Sequence, residues 1–538
     1  MAIKFTVKQI KDKLGTLKAE RSTWESHWQE IADYMFPRKN QVTSITTSGE
    51  KKSINVLDNT GMYSLELLAG QLHGLLTNPN ALWFELTTGI LGIDQLDDVR
   101  VWLQKTARDI HTVLNNSNFQ TEVHELYMDQ CGFGTAAMYI EEDEASNVRF
   151  STKFIGEWFI DEDAQGRVNQ IYRCWKWKAP QIVEEFGIEN VPKKVKDSFE
   201  KGQDDKFELI CAIYPYSLLG TVKGAYTYAK QTILPELNHE LQHEGYREFP
   251  YVVPRWSKGT GETYGRSPAM TALPEVKTLN KMTEIVIVGA QKVIDPALMI
   301  PDEGFVMPII TKPGGFNYYR SGSNDTIKPI LNDARIDFGF EVMKEKRTRI
   351  REAFFVDQLM LQQGPQMTAT EVLQRTEEKM RLLGPMLGRQ QSEFLSPLID
   401  RVFAIMLRRG LIDKQLIPQA LRGRKIDVKY SSLIAKAQRL SDAQNILRTM
   451  EAVTPFINLD PKTAQNFDGD AAVRAIAEIF GFPQQIIRTT RAVGQLREAE
   501  AEAQRAVLEQ QNQAQQMQQM QQMQPMMQQM QEAQQPGT

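Results

Sequence analysis

Two stretches decide the fold, GETYGRSPAMTALPEVKTLNKMTEIVIVGAQKVI (261–294) and RIDFGFEVMKEKRTRIREAFFVDQ (335–358). The first predicts a helix from Leu273 to Ile294, with Pro274 tolerated because it falls in the opening turn. Val276, Leu279, Ile287, Ala290 and Ile294 make one apolar stripe, and Leu279, Met282, Val286, Gly289 and Val293 make a second beside it. Lys277, Lys281, Glu284 and Lys292 fill the remaining face. An apolar arc that wide calls for packing partners on more than one side. The second stretch predicts a helix from Asp337 to Gln358, with Ile336, Phe340, Met343, Ile350 and Phe354 on one stripe that Arg347 interrupts. Between them, Pro296, Pro301, Gly304, Pro308, Pro313, Gly314, Gly315, Gly322 and Pro329 forbid a long helix. The apolar runs Ala297–Ile300, Phe305–Ile310 and Phe316–Tyr319 suit strands of a small β subdomain.

The second helix is also the most cationic part of the chain. Lys344 and Arg351 flank its stripe on one side, Lys346 and Arg349 on the other, and Glu341, Glu345, Glu352 and Asp357 nearly balance them and Arg347. Two readings stay open: a solvated face laced by i,i+4 pairs such as Glu345–Arg349, or contact with nucleic-acid phosphates.

Composition narrows the function classes. With 63 basic against 67 acidic residues and a net charge of −4, the chain does not hold nucleic acid by bulk attraction. Cys131, Cys174 and Cys211 are too few and unpatterned for a disulfide framework or a cysteine zinc site, which fits a reducing cytosol. No apolar run approaches the roughly eighteen residues of a membrane span, and MAIKFTVKQIKDK lacks an apolar signal core. The expectation is a protein with no membrane partner, and at 538 residues it should hold several subdomains.

Upstream, Ile10, Leu14, Leu17, Trp24, Trp28 and Ile31 mark a helix ending near Pro37, read as a packed arm because Gly15 and Arg21 disturb the seam. Residues 57–77 and 97–115 read as further helices. From 147 to 256 the chain turns β-rich, with helix inserted at 181–202, giving an α+β body. His239-Glu240-Leu241-Gln242-His243 matches H-E-x-x-H, in which two imidazoles one helical turn apart bind zinc. Pro235 and Gly245 leave little room for that helix, so His239 and His243 are weak metal candidates and a polar loop is the expected structure. No Walker loop, G-x-G-x-x-G turn or nucleophile elbow is present, so the chain reads as no enzyme and no cofactor is implied. Downstream, Thr368 or Thr370 caps a helix from Glu371 that Gly384-Pro385 and Pro397 should kink and that ends by Gly410. A helical segment at 431–497 is broken at Pro455, Pro461 and Pro483. Beyond Glu498 the chain becomes Gln- and Met-rich, suited to disorder or a frayed helical extension, with methionines that drift around a helix.

The order GETYGRSP, long helix, Pro/Gly excursion, cationic helix, QLMLQQGPQM (358–367) and TATEV (368–372) resembles the portal, or head-to-tail connecting, proteins of short-tailed (podovirus) bacteriophages. LDNTGMYSLELLAGQLHGLLTNPNALWFELT (57–87), YMDQCGFGTAAMYIEED (127–143) and FPYVVPRW (249–256) agree with it, and the match extends over about residues 10 to 480. The resemblance implies an α+β, mainly α subunit of a ring oligomer. It divides into a wing (1–270), a first stem helix (271–294), a clip (295–335), a second stem helix (336–357), a tunnel loop (358–369), a kinked wing helix (370–425), a crown (426–497) and a tail (498–538). It further implies a homo-dodecameric channel at one capsid vertex, assembled in the host cytoplasm, through which double-stranded DNA is packaged and ejected. Terminase large subunit, tail adaptor proteins, and capsid and scaffold proteins are the implied partners. Lys344, Lys346, Arg347, Arg349, Arg351, Gln358, Gln362 and Gln363 become channel candidates, the cations being divided between intersubunit pairs with Glu341, Glu345 and Glu352 and a minority facing the lumen. A virion structural protein that oligomerises without conducting DNA, and a zinc hydrolase, are the competing readings.

Overall fold

A computed structural model describes residues 4–44, 49–50, 56–94, 96–220, 226–300, 308–310, 316, 318, 328–329, 336–356, 384, 387–423, 426–430, 446–456, 465–479, 486–488 and 490–532. The chain divides into two compact units, the first being Met1–Glu85, Ala107–Gln415 and Val428–Ile434, the second Leu86–Thr106, Leu416–Asp427 and Ala435–Thr538.

The first unit opens on helix α1 (Val7–Met35), which Thr6 and Gln9 cap reciprocally through side chain and backbone. Its predicted stripe is real. Ile10, Leu14 and Leu17 bury against Phe159, Tyr172, Ile210, Ala212, Tyr214, Ala229 and Ile233 of a sheet. Arg21, expected to disturb the stripe, is buried within it. Its guanidinium donates to the carbonyls of Ile155 (2.8 Å) and Trp158 and to Glu25, so the charge is satisfied where an aliphatic residue would have left those carbonyls bare.

Helices α2 (Thr60–Leu76), α3 (Asp97–Asn116) and α4 (Phe119–Phe133) follow, the boundary between the units falling within α3. Strands β1 (Ala137–Asp143) and β2 (Asn147–Lys153) form a hairpin. Strands β3 (Trp158–Glu162), β4 (Val168–Lys178), β5 (Lys206–Pro215), β6 (Tyr228–Leu234) and β7 (His239–Tyr246) form an antiparallel sheet in sequence order. Strand β8 (Tyr251–Val252) joins the other edge of β1. The two-residue alternation of β5 explains the layering: Ile210, Ala212 and Tyr214 face α1, while Phe207 and Leu209 face helices α5 (Ala179–Phe186) and α6 (Lys193–Glu200). The helical insertion predicted at 181–202 is thus two short helices, parted at Gly187 (φ 79°) and Pro192.

The deciding stretch forms α7 (Pro268–Ile294). It starts five residues before the expected Leu273 because Ser267 caps it, accepting from the Met270 amide at 3.0 Å, with Pro268 in the first turn. Pro274 therefore lies inside the helix and not in its opening turn. Helix α8 (Ile336–Ala353) returns along α7, and a Cβ on Gly339 would lie 3.0 Å from Val286 Cγ2, so the α8 backbone packs closely on the Val286 side chain there. Burial falls along the hairpin. The first half of α7 buries Leu273, Val276, Leu279 and Thr283, and no later residue of α7 is buried. Ile285 is 60% exposed, Ile294 83% and Phe340 of α8 55%. Of the strand runs expected at the tip, Leu298–Met299 pairs antiparallel with Lys328–Pro329; half of the other two runs lies outside the described residues, and the described half, 308–310, Phe316 and Tyr318, is not strand.

Residues 357–383 lie outside the described residues, and with them the expected loop at 358–367 and the helix start after Thr370. The helix then runs into a π-turn (Gln391–Leu395) and α9 (Ser396–Arg408). The disturbance expected from Pro397 appears as that π-turn, in which the Ser396 amide reaches back to the Gln391 carbonyl. Gly410 (φ 75°) ends α9, with Leu411 N donating to Met406 O at 3.0 Å, a Schellman closure.

In the second unit Asp97 fastens helices α10 (Gly469–Ile479) and α11 (Thr490–Glu532), accepting from Arg474 (3.2 Å) and from the amide and hydroxyl of Thr490 (3.0 and 3.2 Å). Residues 446–456 are helical, while 431–445, 457–464 and 480–485 lie outside the described residues. The Gln/Met-rich tail is one continuous helix through Pro525 to Glu532, the helical alternative of the two expected; Gln, Met, Ala and Glu are all strong helix formers.

Candidate functional site

The site is the base of the α7–α8 hairpin, where the cationic helix meets the body. Arg347 donates through Nε (3.0 Å) and Nη2 (2.9 Å) to Asp58 Oδ2, just ahead of α2. Burial alone would push the Asp58 carboxyl up; hydrogen bonds from Thr60 and the Arg347 guanidinium outweigh it and hold the group below the usual carboxylate range. Lys346 lies 2.7 Å from Glu275 of α7, and Arg349 lies 2.6 Å from Glu345 and 3.7 Å from Glu275. Lys344 and Arg351 are exposed and have no ion pair among the described residues. Seven residues apart, they share one helix face about 10 Å from each other. The pairing acids were expected to be Glu341, Glu345 and Glu352 of neighbouring copies; within one chain they are Asp58, Glu275 and Glu345. Of the remaining channel candidates, Gln358, Gln362 and Gln363 lie outside the described residues.

The hairpin is rooted in a knot built from the motifs at 127–143 and 249–268. Gly134 ends α4 in a left-handed conformation (φ 83°), and a Cβ there would sit 2.2 Å from the Gly265 carbonyl oxygen. A Cβ on Gly265 would sit 2.5 Å from the Gly134 oxygen. The two glycines let the strands touch, so that Trp256 N reaches Gly134 O (2.8 Å), Gly265 N reaches Thr135 Oγ1 (2.7 Å) and Ser267 Oγ reaches Gly132 O (2.7 Å). At its centre Arg255, 2% exposed, donates through its amide and Nε (both 3.0 Å) and Nη2 (2.7 Å) to Glu393, and also to Glu162, Thr263 O and Gly166 O. Lys258 also holds Glu162.

The H-E-x-x-H match falls on strand β7, and neither a helix nor the expected polar loop forms there. Four strand residues span about 13 Å, so the two imidazoles do not converge on one ion. His239 Nε2 instead lies 2.8 Å from Asn190 O, His243 Nε2 3.4 Å from the Tyr216 hydroxyl, and Glu240 pairs with Lys4. Among the described residues no group of three or more His, Cys, Asp or Glu could hold a metal.

Sequence reasoning missed Asp58, Arg255 and Glu393. Their partners lie far along the chain and leave no local pattern; the close glycines in CGFGT and TYGRSP were the available signal.

A model of the family described as bacteriophage head to tail connecting protein matches residues 7–487. The chain belongs to that family. A probable portal protein of Bordetella phage BPP-1 is 32% identical over 512 residues, covering 93% of this chain and 92% of its own. The portal protein of Salmonella phage epsilon15 is 28% identical over 507 residues, covering 92% and 91%. Among solved structures, a chain in the neck of an empty gene transfer agent particle aligns over 76% of this connector and 93% of itself at 10% identity with a TM-score of 0.35, too loose to carry weight. The connector is therefore a phage virion component at the junction of head and tail, as the podophage resemblance implied. No described helix is long and apolar enough to cross a membrane.

Proposed function

We propose that this connector assembles as a homo-dodecameric ring whose hairpins α7–α8 are the stem of a channel for packaging and ejecting double-stranded DNA. The observation that carries the proposal is the bare half of the hairpin: Ile285, Ile287, Val288, Ile294 and Phe340 are exposed in a single copy, on more than one side. Fully burying a wholly exposed side chain of this kind is worth about 1.5–3 kcal/mol; the roughly half-exposed ones gain a part of that, and a ring repeats the gain at every interface. Lys344 and Arg351, left without acidic partners among the described residues, are the cations free to meet phosphates, while Lys346, Arg347 and Arg349 are occupied in holding the helix. A pair of cations per copy suits a wall that guides DNA without gripping it, since each neutralised phosphate adds a salt-dependent binding term. Gln358, Gln362 and Gln363 belong to the proposed tunnel loop. On the same reading residues 1–270 are the wing, 295–335 the clip that docks terminase large subunit and tail adaptors, 370–425 the kinked wing helix and 426–497 the crown inside the capsid, with scaffold and capsid proteins around the ring.

Sedimentation of the purified chain tests this. The native protein should run as one large closed species and the Ile285→Glu/Phe340→Glu variant as a folded monomer. An unchanged assembly in the variant would place the interface elsewhere.

A further inference from the structure

We infer that the π-turn Gln391–Leu395 is a hinge and that the Arg255–Glu393 pair is the latch that holds it closed. Pro397 has no N–H, so the Glu393 carbonyl lacks its usual donor four residues on, and the Ser396 amide goes instead to Gln391 O. Backbone restraint is therefore weakest at the residue whose side chain is held most firmly. The Glu393 carboxylate takes three bonds from Arg255, at 3.0, 3.0 and 2.7 Å, and one from Arg389 at 3.3 Å. Arg255 stands at the root of α7, so the latch ties the π-turned helix to the base of the hairpin.

A second, independent feature opposes closure. Gln390, on the turn's N-terminal side, is 1% exposed, and neither its amide nitrogen nor its oxygen has a partner among the described residues. Such a group is stabilised by leaving the interior. Phe394, packed on Tyr127 at a ring-centroid distance of 5.9 Å, and the Arg255 latch keep the helix in place against that tendency. A weak backbone point, a held carboxylate and an unpaired buried amide one turn apart are the parts of a two-position element. The inference does not depend on whether the channel conducts DNA.

Hydrogen exchange read by mass spectrometry on the assembled full-length protein tests it. In Glu393→Gln, amides of 387–396 should exchange on the order of a hundredfold faster while those of α2 and the five-stranded sheet keep native rates, because removing one charge of a buried pair opens the element it holds. Gln390→Leu, alone or in the Glu393→Gln background, should slow exchange over the same peptide. Unchanged exchange at 387–396 in Glu393→Gln, or acceleration spread evenly over the chain, would overturn the latch. Should Glu393→Gln fail to fold, the single Gln390→Leu variant decides: faster or unchanged exchange there contradicts the hinge.

Discussion

Arg347 of α8 and Asp58 ahead of α2 form a two-bond ion pair, Nε and Nη2 to one carboxylate oxygen at 3.0 and 2.9 Å, across 289 residues of sequence. The pair fixes the rotation of α8 about its own axis. With Arg347 turned into the body and Lys346 and Arg349 turned to Glu275, Lys344 and Arg351 are left on the outer face.

Asp58→Asn should therefore lower stability at neutral pH by about 1.5–3 kcal/mol, the range for a hydrogen bond to a charged group. The folded-state carboxyl is held below its ordinary value, so its contribution is fully present above that value, about 3.9, and is lost as pH falls through the folded value. Urea melts of native protein and variant should differ at pH 7 and converge in strong acid. A gap independent of pH would assign the effect to something other than this ion pair.

His124 adds a second loss of stability on acidification, in a higher pH window. Burial, then the neighbouring His73 ring at 6.1 Å, lowers its pKa below the ordinary 6.5, although Glu125 and Glu66 pull the other way. The unfolded chain then takes up the proton first, so stability should fall as pH drops below 6.5 toward the folded value and level off beneath it. His124→Gln should flatten that part of the stability profile, as thermal melts between pH 7 and 5 would show.

Two glycine substitutions should act with opposite sign. Gly134→Ala puts a methyl 2.2 Å from the Gly265 oxygen at φ 83°, and a loss of about 3 kcal/mol or more, or outright misfolding, is expected. Gly15→Ala meets nothing within 4 Å inside α1 and should stabilise by about 0.5–1 kcal/mol. Melting temperatures of both variants check the contrast.

Lys344→Gln/Arg351→Gln should leave folding within about 0.5 kcal/mol of native, since neither side chain is packed. It should weaken and flatten the salt dependence of DNA retention in assembled particles. Native retention with a native salt slope would remove these two residues from the channel wall.

Truncation after Glu498 should preserve the melting temperature, because the lost part of α11 is exposed wherever its burial is described, and Arg497 keeps its pair with Asp470. A large drop would show that the Gln/Met helix is packed in the assembled protein.

The parts of the architecture written in local periodicity were legible. Three- and four-residue steps marked α1, α7 and α8, and alternation marked the β-rich body, because each element must present an apolar face to its neighbours. Arg21 was misjudged since one charge in an apolar stripe looks like a flaw until the carbonyls of Ile155 and Trp158 are seen to need it. His239 and His243 were placed in a loop because polar residues on an edge strand carry no apolar alternation to give the strand away. The cations of α8 could be named from sequence, but which of them are paired among the described residues depended on Asp58 and Glu275, which reach them only through the fold.

Electron cryomicroscopy of the purified full-length protein is the most direct measurement. The account predicts a closed twelvefold ring, with α7 and α8 of each copy packed against those of its neighbours, the side chains of Ile285, Ile294 and Phe340 buried between copies, and a central opening that admits duplex DNA. A stable monomer, or a ring in which those three side chains face solvent, would contradict it.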